Sequence, residues 1–240
     1  MEERELVESL GRYCVDFAVP IDSEALERVV AYLEALIDAN RCVNLTGISS
    51  PEQAVRLHAF DALAAVPEVA SAPAGTLLDL GSGGGIPGVP LALQSGRNAV
   101  LLDSVRKKMG AVELILDQME LRGTISTESS RAEDHARSNP AVYAVVTARA
   151  VSTLNSLVEL ASPLLAEHGR LVALKGQPDT DELEQGRRVA EKVGMREVSV
   201  RRFTLPEGDE ARTIVCYERV GRPMLVLPRR TGLAQHHPLA

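Results

Sequence analysis

The residues Leu77 to Gly88, LLDLGSGGGIPG, set an aspartate before four glycines in five positions, directly after an apolar run. A loop of this composition brings backbone close to a ligand. A phosphate-binding loop needs G-x-x-x-x-G-K-[ST], whose lysine holds phosphates; here Ile86-Pro87-Gly88-Val89 supplies none. A dinucleotide fingerprint, G-x-G-x-x-G, fits Gly83, Gly85 and Gly88, but its register is late. The first glycine belongs at the strand end, Gly81, and counted from there the third position is Ile86.

The remaining pattern is D-x-G-x-G, Asp79-Leu80-Gly81-Ser82-Gly83, with a second acid, Asp103, at the end of the next apolar run. This is the arrangement of S-adenosylmethionine-dependent methyltransferases. That cofactor has no phosphates, so the loop must clasp an amino acid and a nucleoside. Gly81 and Gly83 let backbone approach the methionine portion. Asp79 suits its ammonium, and Asp103, about 20 residues on, is placed for ribose hydroxyls. The plainer reading makes Gly84 and Gly85 a tight turn and the two aspartates caps.

The elements that must position these residues form an α/β pattern. TLLDLG (76–81), NAVLLD (98–103), TISTES (124–129), AVYAVVTAR (141–149) and GRLVALKG (169–176) read as strands. Helices are expected over 86–94, 105–121, the RAEDHA segment, 153–166 and 179–193. Alternation of this kind means a mostly parallel, doubly wound sheet, the Rossmann-like class. Two final strands, about 197–204 and 212–220, joined through Pro206-Glu207-Gly208-Asp209, suggest an antiparallel hairpin at one edge. Residues 1–70 read as a helical N-terminal extension. One helix starts at Asp22 or Ser23 and ends near Asn40-Arg41; another starts at Ser50-Pro51. Residues 71–220 then form the cofactor-binding domain, and 221–240 an irregular tail.

Composition is that of an ordinary globular chain: 45% apolar and 25% charged residues over 240 positions. No apolar run approaches the roughly 18–20 residues of a membrane span, and the start, MEERELVESL, has no signal-peptide core. Three scattered cysteines, Cys14, Cys42 and Cys216, point to a reducing cytoplasm and packing roles. No metal site is expected; the adjacent His236 and His237 lack partners at ligand spacing. Net charge is −7, which does not advertise nucleic acid, so Arg106-Lys107-Lys108, Arg201-Arg202 and Arg229-Arg230 are the candidate basic patches. A monomer is favoured.

The end of the fourth strand, Thr147-Ala148-Arg149-Ala150, lacks the N/D-P-P-Y/F of exocyclic-amine methylases, and no Pro-Cys pair exists for cytosine C5 chemistry. The acceptor should already be nucleophilic. NLTGI (44–48), RLHAFDALA (56–64), LLDLGSGGGIPGVPLAL (77–93), LLDSVRKK (101–108), SRAED (130–134), ARAVSTL (148–154) and ALKGQ (173–177) occur in this order. Together, over about residues 24–220, they resemble the RsmG family, also called glucose-inhibited division protein B. The resemblance implies a class I methyltransferase fold and methylation of guanine N7 at position 527 of 16S rRNA, with naked rRNA or a small ribosomal subunit particle as substrate.

Carried onto this chain, the family's cofactor contacts fall on Gly81, Ile86, Ala132, Glu133 and Arg149. A backbone N–H and the Glu133 carboxyl can read the adenine edge, though Glu133 alone would read as a first-turn helix acid. Arg149 and Lys175, at the ends of strands four and five, are the candidates to position guanine. Neither should donate to N7, which must attack, and no general base is required. His58 and Asp61, three apart on one helix face, either hydrogen-bond each other, order a lid or serve structure. Basic residues follow the PRR element in many family members but not here. The alternatives are a methyltransferase acting on a small molecule or protein, a nicotinamide oxidoreductase and a non-enzymatic RNA-binding factor.

Overall fold

The computed structural model of the chain describes residues 2–240. Helices α1 (Glu3–Asp16) and α2 (Ser23–Asn40) come first. Asp22 caps α2, accepting from the N–H groups of Glu24 and Ala25 at 3.0 and 3.2 Å. Then α3 (Pro51–Ala54), a π-helical stretch (Val55–Phe60) and α4 (Asp61–Leu63) follow without a break, before α5 (Val66–Ala70). Ser50 is the N-cap of α3 and Pro51 its first residue, as the sequence predicts. The π-helical stretch has no sequence signature.

The sheet contains β1 (Leu77–Leu80), β2 (Ala99–Leu102), β3 (Ile125–Glu128), β4 (Tyr143–Arg149), β5 (Leu165–Lys175), β6 (Met195–Thr204) and β7 (Ala211–Arg219). Their order is β3-β2-β1-β4-β5-β7-β6. β1 to β5 are parallel, and β6 and β7 form the expected antiparallel edge hairpin. Between them run α6 (Gly88–Ser95), α7 (Arg106–Gln118), α8 (Ala132–Ser138), α9 (Leu154–Ala161) and α10 (Thr180–Lys192). The chain leaves β1 toward β2 and β3, then returns to β1's other side as β4. The order therefore reverses at β1, and a ligand crevice is expected beyond the carboxyl ends there.

Successive residues of a strand face opposite sides. Leu77 joins Tyr32, Leu33 and Leu36 of α2 in one core, whereas Leu78 and Leu80 join Leu157 and Val158 of α9 in the other. The N-terminal helices thus share a core with one face of the sheet.

Two expectations need correction. The helix expected over 153–166 stops at Ala161, because Pro163 lacks an N–H and Leu165 already pairs with Tyr143. The tail is not wholly irregular: α11 (Leu233–His236) lies within it. Its Ala234 is buried in the α9 core, and Arg229 makes a bidentate pair, 2.6 Å for each bond, with Glu159 of α9. No described helix is long and apolar enough to cross a membrane.

Candidate functional site

The glycine loop leaves β1 at the switch point. Gly81 and Ser82 donate their N–H groups to Leu102 O at 2.8 and 3.0 Å, tying the loop to β2. The glycines then divide by what lies beside them. A Cβ on Gly85 would come within 2.2 Å of Tyr32 Oη, and one on Gly84 within 2.9 Å of Leu36. These two are small because α2 packs onto the loop, where Tyr32 Oη donates to Gly84 O at 2.9 Å. A Cβ on Gly83, at φ +56°, would meet nothing within 4 Å. Gly83 is therefore the glycine whose bareness faces open space.

That space is a cavity of about 450 Å³, within the range that takes a small organic ligand. Gly81, Gly83 and Ile86 from the first loop line it, with Asp103 after β2, Ala132 and Glu133 after β3, and Arg149 at the end of β4. Asp103 accepts from Gly83 N at 3.0 Å and from Val105 N at 2.8 Å, one bond per oxygen. Each oxygen keeps a second acceptor site, so Asp103 holds the loop and still has capacity for hydroxyls.

Two expected site residues lie elsewhere. Asp79 is fully buried and outside the cavity wall. Its oxygens accept from Thr147 Oγ1 at 2.8 Å and from Gly88 N at 2.9 Å. Burial raises its pKa against the pull of those hydrogen bonds. The pleat turns Asp79 toward the start of α6, where it braces the loop from behind the cavity wall. Lys175 is also absent from the wall. Its ammonium lies 2.9 Å from Glu182 and donates to Ser152 O at 2.8 Å. It ties α10 to the segment before α9.

Arg149 sits in a network that the sequence only hinted at. Its Nη1 donates to Leu57 O at 2.9 Å and to Asp61 Oδ2 at 3.1 Å, and its Nη2 to His58 Nδ1 at 3.1 Å. Asp61 Oδ1 also accepts from Arg212 Nε at 3.1 Å, so one buried carboxylate joins two guanidinium groups. His58 Nδ1 also lies 3.1 Å from Leu57 O. A guanidinium only donates, so in the contact with Arg149 Nδ1 accepts and Nε2 carries the ring proton. That proton faces Thr46 Oγ1 at 2.6 Å. Burial, reinforced by the Arg149 charge, lowers the His58 pKa to about 4, so the ring is neutral at pH 7. His58 and Asp61 thus meet through Arg149, and no hydrogen bond joins them directly.

His58 and Thr46 line the same cavity, as do Lys108, Ser130, Gly232 and Gln235. Thr46 and Lys108 stand in segments that the sequence singled out; nothing local marks Gly232 or Gln235. A second hollow, lined by residues 43–47 with Val105, Lys107 and Lys108, adjoins the first and shares Leu45, Thr46 and Lys108 with it. The basic runs also separate. Arg201 is bound to Glu68, and Arg229 to Glu159. Among the described residues Arg106, Lys107 and Lys108 form no ion pair and no side-chain hydrogen bond. No group of three or more His, Cys, Asp or Glu among the described residues could hold a metal ion.

A family model described as rRNA small subunit methyltransferase G matches residues 25–213. Proteins named ribosomal RNA small subunit methyltransferase G are similar over most of their length. That of Pseudothermotoga lettingae is 34% identical, covering 93% of this chain and 96% of its own. That of Deinococcus radiodurans is 37% identical, covering 90% and 85%. Among solved structures, a geranyl diphosphate methyltransferase in complex with SAM superposes with a TM-score of 0.51 at 14% identity, over 62% of this chain and 79% of that one. At that identity the likeness speaks for the fold, a class I methyltransferase sheet.

Proposed function

The chain belongs to the rRNA small subunit methyltransferase G family, and from that premise we propose that it transfers a methyl group from S-adenosylmethionine to N7 of a guanine in 16S rRNA, at the position 527 that the family resemblance implies. The observation that carries this reading is the wall of one cavity. Gly81, Gly83, Ile86, Asp103, Ala132, Glu133 and Arg149 all line it, although they come from four separate strand ends.

The residues fit the cofactor's chemistry. The bare face of Gly83 admits a ligand against the loop backbone, and Asp103 has acceptor capacity for ribose. Glu133 stands after β3, beyond Asp103, where a base attached to that ribose would extend. When bound, adenosylmethionine supplies a methyl group on a positively charged sulfur, open to in-line displacement by a lone pair. Guanine N7 offers such a lone pair in the ring plane and has no proton to lose, so no residue has to act as a base. His58 suits this requirement: it is neutral and its Nδ1 is occupied by Arg149. Arg149 uses three of its five N–H donors on Leu57, Asp61 and His58, leaving two for a ligand. The chain's work is thus positioning, worth up to about 7–11 kcal/mol in well-aligned systems.

The acceptor is proposed to approach through the adjoining hollow, between residues 43–47 and the start of α7. Its unpaired basic residues, Lys107 and Lys108, can meet phosphates there. A splayed loop nucleotide is the expected form of the target. The protein is read as a monomer acting in the cytoplasm on rRNA or on a small ribosomal subunit particle.

The test uses labelled adenosylmethionine with rRNA and with small subunits from cells lacking the enzyme. Label at guanine N7 of the 16S target loop is expected. Label on neither substrate would overturn the reading.

A further inference from the structure

The C-terminal tail is built into the cavity. Gly232 N donates to Glu133 Oε1 at 2.7 Å, and Gly232 and Gln235 both line the wall. So the carboxylate expected to read an adenine edge already has one oxygen bonded to tail backbone. The placement is enforced. Glu159 is 2% exposed and accepts two bonds from Arg229, at 2.6 Å each, and one from Leu239 N at 3.3 Å. Asn155 Nδ2 donates to Leu239 O at 3.1 Å, and Thr231 Oγ1 donates to Asp134 Oδ1 at 3.0 Å. A carboxylate so deeply buried is costly without its partner, so Arg229 holds the tail on α9 at one side while Thr231 and Gly232 hold it on α8 at the other.

Sheet order says which part of a ligand the tail meets. Moving outward from the switch point, the strand ends run β1, β2, β3. A nucleoside with its sugar at Asp103, after β2, extends its base toward residues 130–133, after β3. There the tail closes the cavity. A carboxamide is the side chain that pairs both ways with adenine, accepting from the N6 amine while donating to N7. We propose that Gln235 is a base-specificity residue of the cofactor site, contacting the adenine of adenosylmethionine from the C-terminal tail. This rests on the cofactor reading above, which names the nucleoside but gives the tail no part in holding it.

The experiment is calorimetric binding of S-adenosylhomocysteine and of its deaminated analogue, S-inosylhomocysteine, in which a carbonyl replaces the N6 amine. The full-length chain is compared with Gln235→Ala and Gln235→Glu. Gln235 is exposed at the cavity rim, so neither variant removes a core contact, and a thermal melt checks each fold. The wild type should prefer the adenine ligand by roughly tenfold or more. Gln235→Ala should lose more affinity for the adenine ligand than for the inosine ligand, which keeps N7 but has no N6 amine, and so erase the preference. Gln235→Glu, which can still accept from N6 and repels a carbonyl, should keep it. Unchanged affinities in Gln235→Ala, or equal losses for both ligands, would overturn the proposal while leaving the cofactor reading in place. A wild type that binds neither ligand would overturn the cofactor reading and this inference with it.

Discussion

The cavity has two halves made in different ways. The half beside β2 and β3 is made of strand ends: loop backbone at Gly81 and Gly83, one carboxylate at Asp103, and the start of α8. Its strand-end parts are local, since Asp103 reaches back only 20 positions to Gly83 N, and the tail is added to them from outside through Gly232 and Glu133. The half beside β4 is made of side chains drawn from far apart. Arg149 reaches Asp61 across 88 positions and Arg212 reaches it across 151. The first half inherits its geometry from the sheet. The second exists only because the N-terminal helices pack on that sheet and deliver His58 and Asp61 to the carboxyl end of its central strand, β4. Under the proposed function, the methyl donor would sit against the half made by the sheet and the acceptor against the half that the N-terminal helices add in front.

If that contrast holds, breaking the second half should harm the fold more than breaking the first. The largest effect is expected from Asp61→Ala, which leaves Arg149 and Arg212 without their shared carboxylate. Removing one partner of a buried pair costs about 3–5 kcal/mol, and urea unfolding should show a loss of that order. A loss below about 1 kcal/mol would mean the network is not what joins the helices to the sheet.

Acid titration sharpens the same point. The native His58 pKa is about 4, below the ordinary value near 6.5. Between those values the unfolded chain binds the proton and the native chain does not, so stability falls as the pH drops from 6.5 toward 4. The difference corresponds to about 3 kcal/mol when complete. His58→Gln should flatten this part of the stability–pH curve, measured by unfolding at pH 7, 6 and 5. An identical slope in both proteins would contradict a neutral, buried His58.

The other half should respond in binding and not in folding. Asp103→Asn removes one acceptor oxygen and opposes an amide to a backbone N–H. Hydrogen bonds to charged groups contribute about 1.5–3 kcal/mol, so affinity for adenosylhomocysteine should fall about ten- to hundredfold with little change in melting temperature. A variant that binds normally would remove Asp103 from the cofactor site.

The same division decides what the sequence made legible. β1, its glycines and Asp103 could be read because apolar period, loop composition and spacing are local signals. The edge hairpin was readable from one turn signal, Pro206 to Asp209. Asp79 misled because its motif gives its position but not its face: in the pleat it points to Gly88 N and Thr147, behind the loop. Lys175 misled because a strand end promises a crevice, yet Glu182, on the helix expected over 179–193, takes its ammonium. The tail was unreadable because it has no period. What orders it is Glu159, an acid inside an apolar helix that makes sense only once Arg229 lies against it.

The smallest expected effect tests whether the hollow in front of the second half receives RNA. Three basic runs looked alike in the sequence, and the structure separates them. Arg201 and Arg229 are held by Glu68 and Glu159, whereas Lys107 is exposed at the adjoining hollow with no described partner. A lysine that neutralises one phosphate releases roughly 0.7–0.9 counterion. Lys107→Ala should therefore lower the slope of log affinity against log salt by about that amount for the rRNA substrate, with adenosylhomocysteine binding unchanged. Arg202→Ala, which removes an exposed charge on β6 at the far edge of the sheet, should leave the slope as it is. Equal shifts from both variants would mean that the RNA senses only the overall charge, and the hollow beside Thr46 would lose its claim to be the way in.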